Sequence, residues 1–405
     1  MRLAAYRQVW AYPVVRQAAV LGFFGKAPWF GAAIVLTLHV VDGLGRTYAA
    51  AGLVTAVFTL AVAVSSPWRG RLLDTLGLRR TLLPSLIVLP LMFLLAPFVG
   101  YWVLLGAMAV VGLLSIPWFV LSRQLMLAAV PVERRRTALA LDSVLTELSF
   151  MVGPLAGVLA ATLWDTGWAL VAFALLSVAA GIGFWIVNPP LVSPPGQSDA
   201  PRPAAPAVPA MRGSMGTWLN GVVATTFVAN IAIAFTLAGS DLAIVAAMRT
   251  MDATPLLGVV LAVWAFGSLV GGLVYGGLTR AVPLTFLVAG LGLTTLLGAL
   301  GVTWWLLALM MAVAGLFCAT SLAAAAERLS HAVPEERRGE ALGWQGTFAT
   351  SGNALAPPVV GWVIDHVGWQ AGFLTTGGTG LVLAVAGWLV LQLGRRGVRR
   401  LRARA

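Results

Sequence analysis

Two ionisable residues lie deep inside long apolar stretches of the chain. Lys26 lies in the stretch 17–40, and Glu147 lies in the stretch 138–163. At a rise of about 1.5 Å per helical residue, each lies about 14 to 15 Å from one end of its stretch. A charge in such a place is costly and usually serves a function. We therefore interpret Glu147 as a carboxylate that takes up and releases a proton, with Lys26 or Arg123 biasing its charge state.

The alternative interpretation is a permanently ionised pair that ties two helices together without exchanging protons. Asp142 and Arg123 lie nearer the ends of their apolar stretches. An ion pair in that position can form in one conformation and break in another. The sequence therefore predicts that Asp142 and Arg123 form a gating pair.

A group of residues follows the second apolar stretch at a fixed spacing. It combines two glycines, which permit tight turns or close approach, with one acid and two arginines that can make charged contacts. The group consists of Gly70, Leu72, Asp74, Gly77, Arg79 and Arg80. The spacing G-x-L-x-D-x-x-G-x-R-R resembles the loop signature of the major facilitator superfamily of secondary transporters. The resemblance implies a gating loop that holds the cytoplasmic side closed in the outward-open state; the simpler alternative is that its arginines only anchor the topology.

Small residues recur along the fifth apolar stretch. The run Ser149-x-x-x-Gly153-Pro154-x-x-Gly157 resembles the antiporter motif of drug-efflux members of that superfamily, with Ser149 in place of a glycine. Small residues four apart let helices pack closely, and a proline weakens the local hydrogen bonds. The motif therefore predicts either a bendable contact between the halves of the protein or ordinary helix packing.

Other polar and aromatic residues within the apolar stretches are candidates for a substrate cavity. Asn230, Gln345 and Asn353 can hydrogen-bond either a substrate or a neighbouring helix. Four tryptophans can line an aromatic cavity or serve as packing residues. These are Trp29, Trp118, Trp264 and Trp344.

The elements that position these residues are membrane helices. The chain is 60% hydrophobic and only 10% charged, far from the roughly 25% charged residues of soluble domains. Stretches of 18 or more apolar residues can cross a bilayer as helices. We predict twelve spans, at 17–40, 47–65, 81–98, 101–121, 138–163, 167–187, 218–246, 256–278, 281–301, 303–325, 341–364 and 368–393.

The net charge of +12 follows the loops between these stretches. Apart from Lys26, Arg46 and Arg249, the basic residues fall at the N-terminus, in every second loop and in the tail. This bias predicts a plasma-membrane protein with both termini in the cytoplasm, and a tail that contacts anionic lipid rather than nucleic acid. The lone Cys318 and the scattered histidines predict no disulfide, no metal and no cofactor.

The chain also carries an internal repeat. Val-Pro-Val-Glu-Arg-Arg at 130–135 is echoed by Val-Pro-Glu-Glu-Arg-Arg at 333–338, at the same place in each half. Such a repeat predicts an all-α membrane protein of two six-helix bundles, at 1–188 and 217–394. A Pro-rich cytoplasmic linker at 189–216 and a basic tail at 395–405 complete the predicted organisation.

The resemblance to the major facilitator superfamily implies alternating access to a central cavity. We expect a monomer that couples protons to the export of a small amphipathic molecule. The alternatives are uptake of a sugar or another neutral metabolite by symport or facilitated diffusion, and a membrane sensor that transports nothing. Neither a nucleophile with its base nor a phosphate-binding loop is visible, so we do not expect an enzyme.

Overall fold

The computed structural model describes residues 3–189, 220–277, 282–334 and 337–402, and these residues form helices and no strand. The predicted linker at 189–216 lies outside the described residues except for its first residue. The helices of the first half are α1 (Leu3–Trp10), α2 (Pro13–Leu38), α3 (Tyr48–Leu95), α4 (Tyr101–Leu113), α5 (Trp118–Ala129), α6 (Arg135–Leu163) and α7 (Thr166–Val187). Those of the second half are α8 (Gly221–Thr250), α9 (Leu257–Gly277), α10 (Leu284–Leu297), α11 (Trp304–Gly315), α12 (Cys318–Ala332), α13 (Arg338–Val367) and α14 (Trp369–Arg402).

Ten helical segments of the described chain are long and apolar enough to cross a membrane. The segment Leu284–Leu300 is shorter, and α13 is long but carries more polar residues. These two helices take the places of predicted spans nine and eleven. The predicted all-α membrane fold with about twelve spanning helices is therefore confirmed.

The chain forms two compact units. The first comprises Met1–Arg46 and Leu60–Ala205, and the second comprises Thr47–Thr59 and Pro206–Ala405. Helices α6 and α13 begin 203 residues apart, and so do α7 and α14, as the repeated sequence motifs indicate. The basic tail continues the last helix, because α14 runs on to Arg402.

Helix α2 is the centre of the first unit, where it packs against α5, α6 and α7. Glycines make the contact with α6 close. A Cβ atom built on Gly153 would lie 2.2 Å from the Ala27 carbonyl oxygen, and one on Gly31 would lie 2.6 Å from the Gly153 carbonyl oxygen. Any larger residue at these positions would force the two backbones apart.

Helix α8 is the corresponding centre of the second unit, where it packs against α13 and α14. Here too a glycine permits the contact, since a Cβ on Gly352 would lie 2.5 Å from the Ile231 carbonyl oxygen. The first residues of α3 belong to this unit, although the predicted first bundle included them. Their backbone amides at Tyr48 and Ala49 donate to the two carboxylate oxygens of Asp365, at 2.9 and 2.8 Å, so Asp365 caps the start of α3.

Two predicted spans are each divided into a pair of helices. Predicted span four, 101–121, covers all of α4 but only the start of α5. Helix α5 follows a break that contains Pro117, and it continues to Ala129. Proline lacks a backbone N–H, so it suits the start of a new helix rather than the interior of an old one. Predicted span ten, 303–325, is divided in the same way between α11 and α12, which continues to Ala332. The predicted C-terminal ends of spans four and ten were therefore both too early, at the same place in the repeat.

The predicted gating loop is helical on both sides of a single turning residue. Helix α3 bends at Gly77, which has φ 76° and ψ 176°. This conformation is essentially restricted to glycine. The turn therefore occupies one residue, and the preceding signature residues Gly70, Leu72 and Asp74 lie on the helix rather than in a loop.

We predict that Gly77→Ala destabilises the protein by about 1–3 kcal/mol, because alanine rarely adopts the backbone conformation at the bend. The matched control is Gly70→Ala. Gly70 lies in the helix, and a Cβ built on it has open space. That change should raise stability by about 0.5–1 kcal/mol through helix propensity. Thermal unfolding in detergent measures both variants, and equal effects would contradict the assigned role of Gly77.

Candidate functional site

The close approach of α2 and α6 creates a buried ion pair between Lys26 and Asp142. The Lys26 Nζ lies 2.6 Å from Asp142 Oδ1, and the two side chains are only 1% and 4% exposed. The same ammonium donates to Thr146 Oγ1 at 2.8 Å, and the Ser122 hydroxyl donates to Asp142 Oδ1 at 2.9 Å. A buried charge pair of this kind is stable only when such additional hydrogen bonds are present.

Arg123 is the second cation beside Asp142. Its Nε lies 3.8 Å from Asp142 Oδ2, but its side chain is 61% exposed. The predicted partners are thus in contact, while their gating role stays a prediction. The Asp142 side chain is buried, because its carboxylate pairs with Lys26 on the neighbouring helix.

Lys26 forms no ion pair with Glu147, and the bias that Lys26 or Arg123 exerts on the charge of Glu147 stays a prediction. The Lys26 ammonium contacts Asp142 and Thr146, which lie four residues apart on one face of α6. Glu147 is rotated by about 100° from Thr146 around the helix. Glu147 is partly buried, and it makes no ion pair or hydrogen bond with the described side chains.

Arg79 connects the gating signature to the end of α7. Its Nε and Nη2 donate to the carbonyl oxygens of Trp185 and Ile186, at 2.9 and 3.1 Å, and its guanidinium lies 5.2 Å from the Trp185 ring centroid. Carbonyls in the last turn of a helix have no partner within the helix, so an arginine is a suitable cap. Arg80 is exposed, and the Asp74 side chain lies outside the described part of the chain.

The small-residue motif of α6 packs against α2 of the same unit. Gly153 and Gly157 approach the backbone of Ala27 and Gly31, and the buried Ser149 donates to the Leu145 carbonyl oxygen within its own helix. These contacts support the packing interpretation of the motif. They also hold Lys26 against Asp142, so the motif and the ion pair belong to one interface.

The polar candidates of the second unit bind each other. Asn230 is buried, and its side-chain oxygen accepts from Gln345 Nε2 at 3.1 Å while its Nδ2 donates to the Thr226 carbonyl at 2.8 Å. This geometry supports a bond between helices α8 and α13. Asn353 is exposed and makes no hydrogen bond with the described residues.

Two charged residues lie deeper than their sequence positions indicated. Arg69 is only 2% exposed, although the predicted span ended at Ser65. Asp241 is partly buried and lies nine residues before the end of α8, about 14 Å into the helix. Helices α3 and α8 continue beyond the predicted ends of their spans, at Ser65 and Ala246. In the part of the chain that the structure describes, His, Cys, Asp and Glu form no cluster able to hold a metal ion.

Two helical units with membrane-length helices and charges inside them define a polytopic membrane protein. The sequence profile of the Major Facilitator Superfamily matches residues 18–244 and 217–405. The chain belongs to this superfamily, and it is therefore a membrane transport protein rather than an enzyme. A search of curated proteins found no match.

Solved structures share the fold at low sequence identity. A bacterial homolog of the human lysosomal transporter Spinster, in an inward-facing and unoccupied conformation, has a TM-score of 0.72 and 14% identity over 95% of this chain and 98% of that chain. The nucleoside transporter NupG has a TM-score of 0.69 and 17% identity over 94% and 99%. The human organic anion transporter MFSD10 has a TM-score of 0.59 and 16% identity over 93% and 100%.

We predict that Lys26→Met or Asp142→Asn alone destabilises the protein by about 3–5 kcal/mol, because each leaves a buried charge without its partner. The double variant should recover much of this loss. Arg123→Gln is the control and should change stability by at most about 1 kcal/mol, since its contact is long and exposed. Unfolding in detergent tests the four variants, and additive losses in the double variant would show that the two residues do not stabilise each other.

Proposed function

We propose that this chain exports a small amphipathic molecule across the plasma membrane in exchange for protons. Both termini face the cytoplasm in this proposal, as the distribution of basic residues indicates. The protein acts as a monomer, and its basic tail contacts anionic lipid. Glu147 is the residue that binds the transported proton.

The observation that carries the proposal is the contrast between the acids of α6. Asp142 is buried beside a cation and accepts two hydrogen bonds, from Lys26 and Ser122. Glu147 lies ten residues into the span Thr137–Leu163, about 15 Å deep, with no cation paired to it among the described side chains. A carboxylate at that depth is costly when ionised. It can take up a proton when water reaches it from one face of the membrane and release that proton when water reaches it from the other face.

The buried ion pair has a different role in this proposal. Because Lys26 neutralises Asp142 inside the protein, the pair holds α2 and α6 together without exchanging protons. The first unit can then move as one body while Glu147 changes its charge. Arg123 lies at the exposed edge of the pair, where it can meet a group that arrives from solution.

Export is proposed rather than uptake on the sequence of the small-residue motif of α6, which resembles that of drug-efflux transporters; the contacts of the motif with α2 are those of helix packing. The similar structures carry different substrates, since one is a nucleoside transporter and another an organic anion transporter. The substrate class therefore has to be inferred from this chain's own residues. Sparse charge inside the helices supports a substrate with few charges of its own.

We predict that Glu147→Gln abolishes transport driven by a pH gradient, because glutamine cannot release a proton. Purified protein in liposomes, with a pH-sensitive dye inside and an imposed gradient, should report proton movement when a transported solute is added. A solute screen with the unaltered protein comes first. Exchange of labelled for unlabelled solute should persist in the variant, since that process needs no net proton transfer.

The matched control is Glu133→Gln, which removes an exposed acid of the same unit. It should leave proton movement unchanged. Proton-driven transport at the normal rate in Glu147→Gln would refute the assigned role of this residue. Protons that move in the same direction as the solute would instead support uptake by symport.

Asp241 provides a comparison in the second unit, because it too has no cation paired to it among the described residues. If Glu147 alone carries the transported proton, Asp241→Asn should reduce the rate of transport but keep proton movement coupled to solute. The ratio of proton flux to solute flux in liposomes measures this coupling. A ratio near zero in Asp241→Asn with a normal ratio in Glu147→Gln would transfer the proposed role to Asp241.

A further inference from the structure

Arg69 is a buried cation with no acidic partner among the described side chains. It lies on α3 before the bend at Gly77 and is only 2% exposed. Asp142 is the acid found in ion pairs in the described structure, and its partners are Lys26 and Arg123. Buried charges are normally paired, so an unpaired guanidinium indicates that something else supplies the negative charge.

The hydrogen bonds of Arg69 use only one of its three nitrogens. Its Nη2 donates to Ser85 Oγ at 2.6 Å and to the Thr81 carbonyl oxygen at 3.3 Å. Its Nε is buried and has no acceptor. The two bonds fix the guanidinium across the bend of α3, and they leave a donor unsatisfied. A buried donor without an acceptor is costly.

Arg69 lies in the wall of a cavity inside the first unit, which we call the Arg69 cavity. Its volume is about 110 Å³, several times the 10–15 Å³ that one water molecule needs. The polar part of the wall is formed by Arg69 with three serines. The full lining consists of Trp29, Val62, Ser65, Ser66, Arg69, Ser115, Ile116, Pro117, Trp118, Phe119 and Val120.

The serines add hydrogen-bonding capacity beside the cation. The hydroxyls of Ser66 and Ser115 make no hydrogen bond with the described residues, so both are able to donate to a ligand. Ser65 donates to the Val62 and Gly112 carbonyl oxygens instead. Aromatic rings also line the cavity, including Trp118, which is almost fully buried. The Lys26 ammonium lies 5.5 Å from the Phe119 ring centroid, so the cavity borders the buried ion pair.

We propose that the Arg69 cavity binds the carboxylate of a small organic monoanion, with its apolar part against Trp29, Trp118 and Phe119. One unpaired cation matches one negative charge. Free hydroxyls and an unsatisfied guanidinium N–H are donors, and a carboxylate offers only acceptors. Aromatic walls favour an apolar or aromatic body over a bare inorganic ion. The proposal deepens the proposed function by assigning a substrate class, and it rests on that function for the statement that this anion is transported.

The test is binding by detergent-solubilised protein, with benzoate as the probe and benzamide as its neutral counterpart. Isothermal titration needs no membrane gradient, so failure to transport and failure to bind are separate results. We expect benzoate to bind at least about tenfold more tightly than benzamide, since a charged hydrogen bond is lost in the amide. Chloride should compete weakly, because it cannot use the aromatic wall.

Three variants separate the contribution of the Arg69 charge from that of the rest of the cavity. Arg69→Gln should weaken benzoate binding by about tenfold to a hundredfold and leave benzamide binding little changed. The matched control is Arg71→Gln, which removes an exposed arginine two residues along the same helix and should bind benzoate normally. Ser115→Ala keeps the cation and nearly the same volume, and it should weaken binding by a smaller factor.

Size-exclusion chromatography of each variant shows whether it remains folded. If folded Arg69→Gln binds benzoate as the unaltered protein does, the proposal is refuted. It is equally refuted if the unaltered protein binds benzoate no better than benzamide, or if it binds neither benzoate nor acetate. In those cases Arg69 only ties the two arms of α3 together through Thr81 and Ser85.

Discussion

The first unit depends on one constraint: an ionised group inside a membrane-spanning helix must find its partner within the protein. Lys26 on α2 meets this constraint through Asp142 on α6. The partner is within reach because Gly31, Gly153 and Gly157 let the two backbones touch. The small residues and the charges are therefore parts of the same interface. A bulkier residue at Gly153 would separate the helices and also leave two charges unpaired.

The same constraint divides the buried charges of this transporter into three groups with different consequences. Lys26 and Asp142 neutralise each other and provide structure. Glu147 and Asp241 are acids without a paired cation among the described residues, so a proton is the natural means of neutralising them. Arg69 is a cation without a paired acid, so an anionic ligand is its natural complement. A buried charge with an oppositely charged partner thus holds helices together. A buried acid without one can exchange a proton, and a buried cation without one can bind an anion.

The sequence predicted the fold because the relevant signals are long and repeated. Apolar length identified the membrane helices, and the motif that recurs at 130–135 and 333–338 identified two related halves. The gating signature and the small-residue motif identified the superfamily. These signals survive local irregularities such as the breaks between α4 and α5 and between α11 and α12.

The site was predicted less well, since side-chain partners depend on helix ends and on rotation about helix axes. Asp142 and Glu147 are five residues apart, and only the three-dimensional arrangement shows which of them faces Lys26. The sequence did not indicate the burial of Arg69, because α3 extends past the predicted end of its span at Ser65. The bond between Asn230 and Gln345 joins residues 115 positions apart, and no local pattern specifies it.

The central claim is that Lys26 and Asp142 pair without exchanging protons while Glu147 gains and loses a proton. Infrared difference spectroscopy of the protein in lipid, recorded between alkaline and acidic conditions, observes this directly through the C=O stretch of a protonated carboxylic acid. We expect one component of this band to persist in Asp142→Asn and in Asp241→Asn and to disappear in Glu147→Gln. A band that disappears in Asp142→Asn and persists in Glu147→Gln would contradict the account.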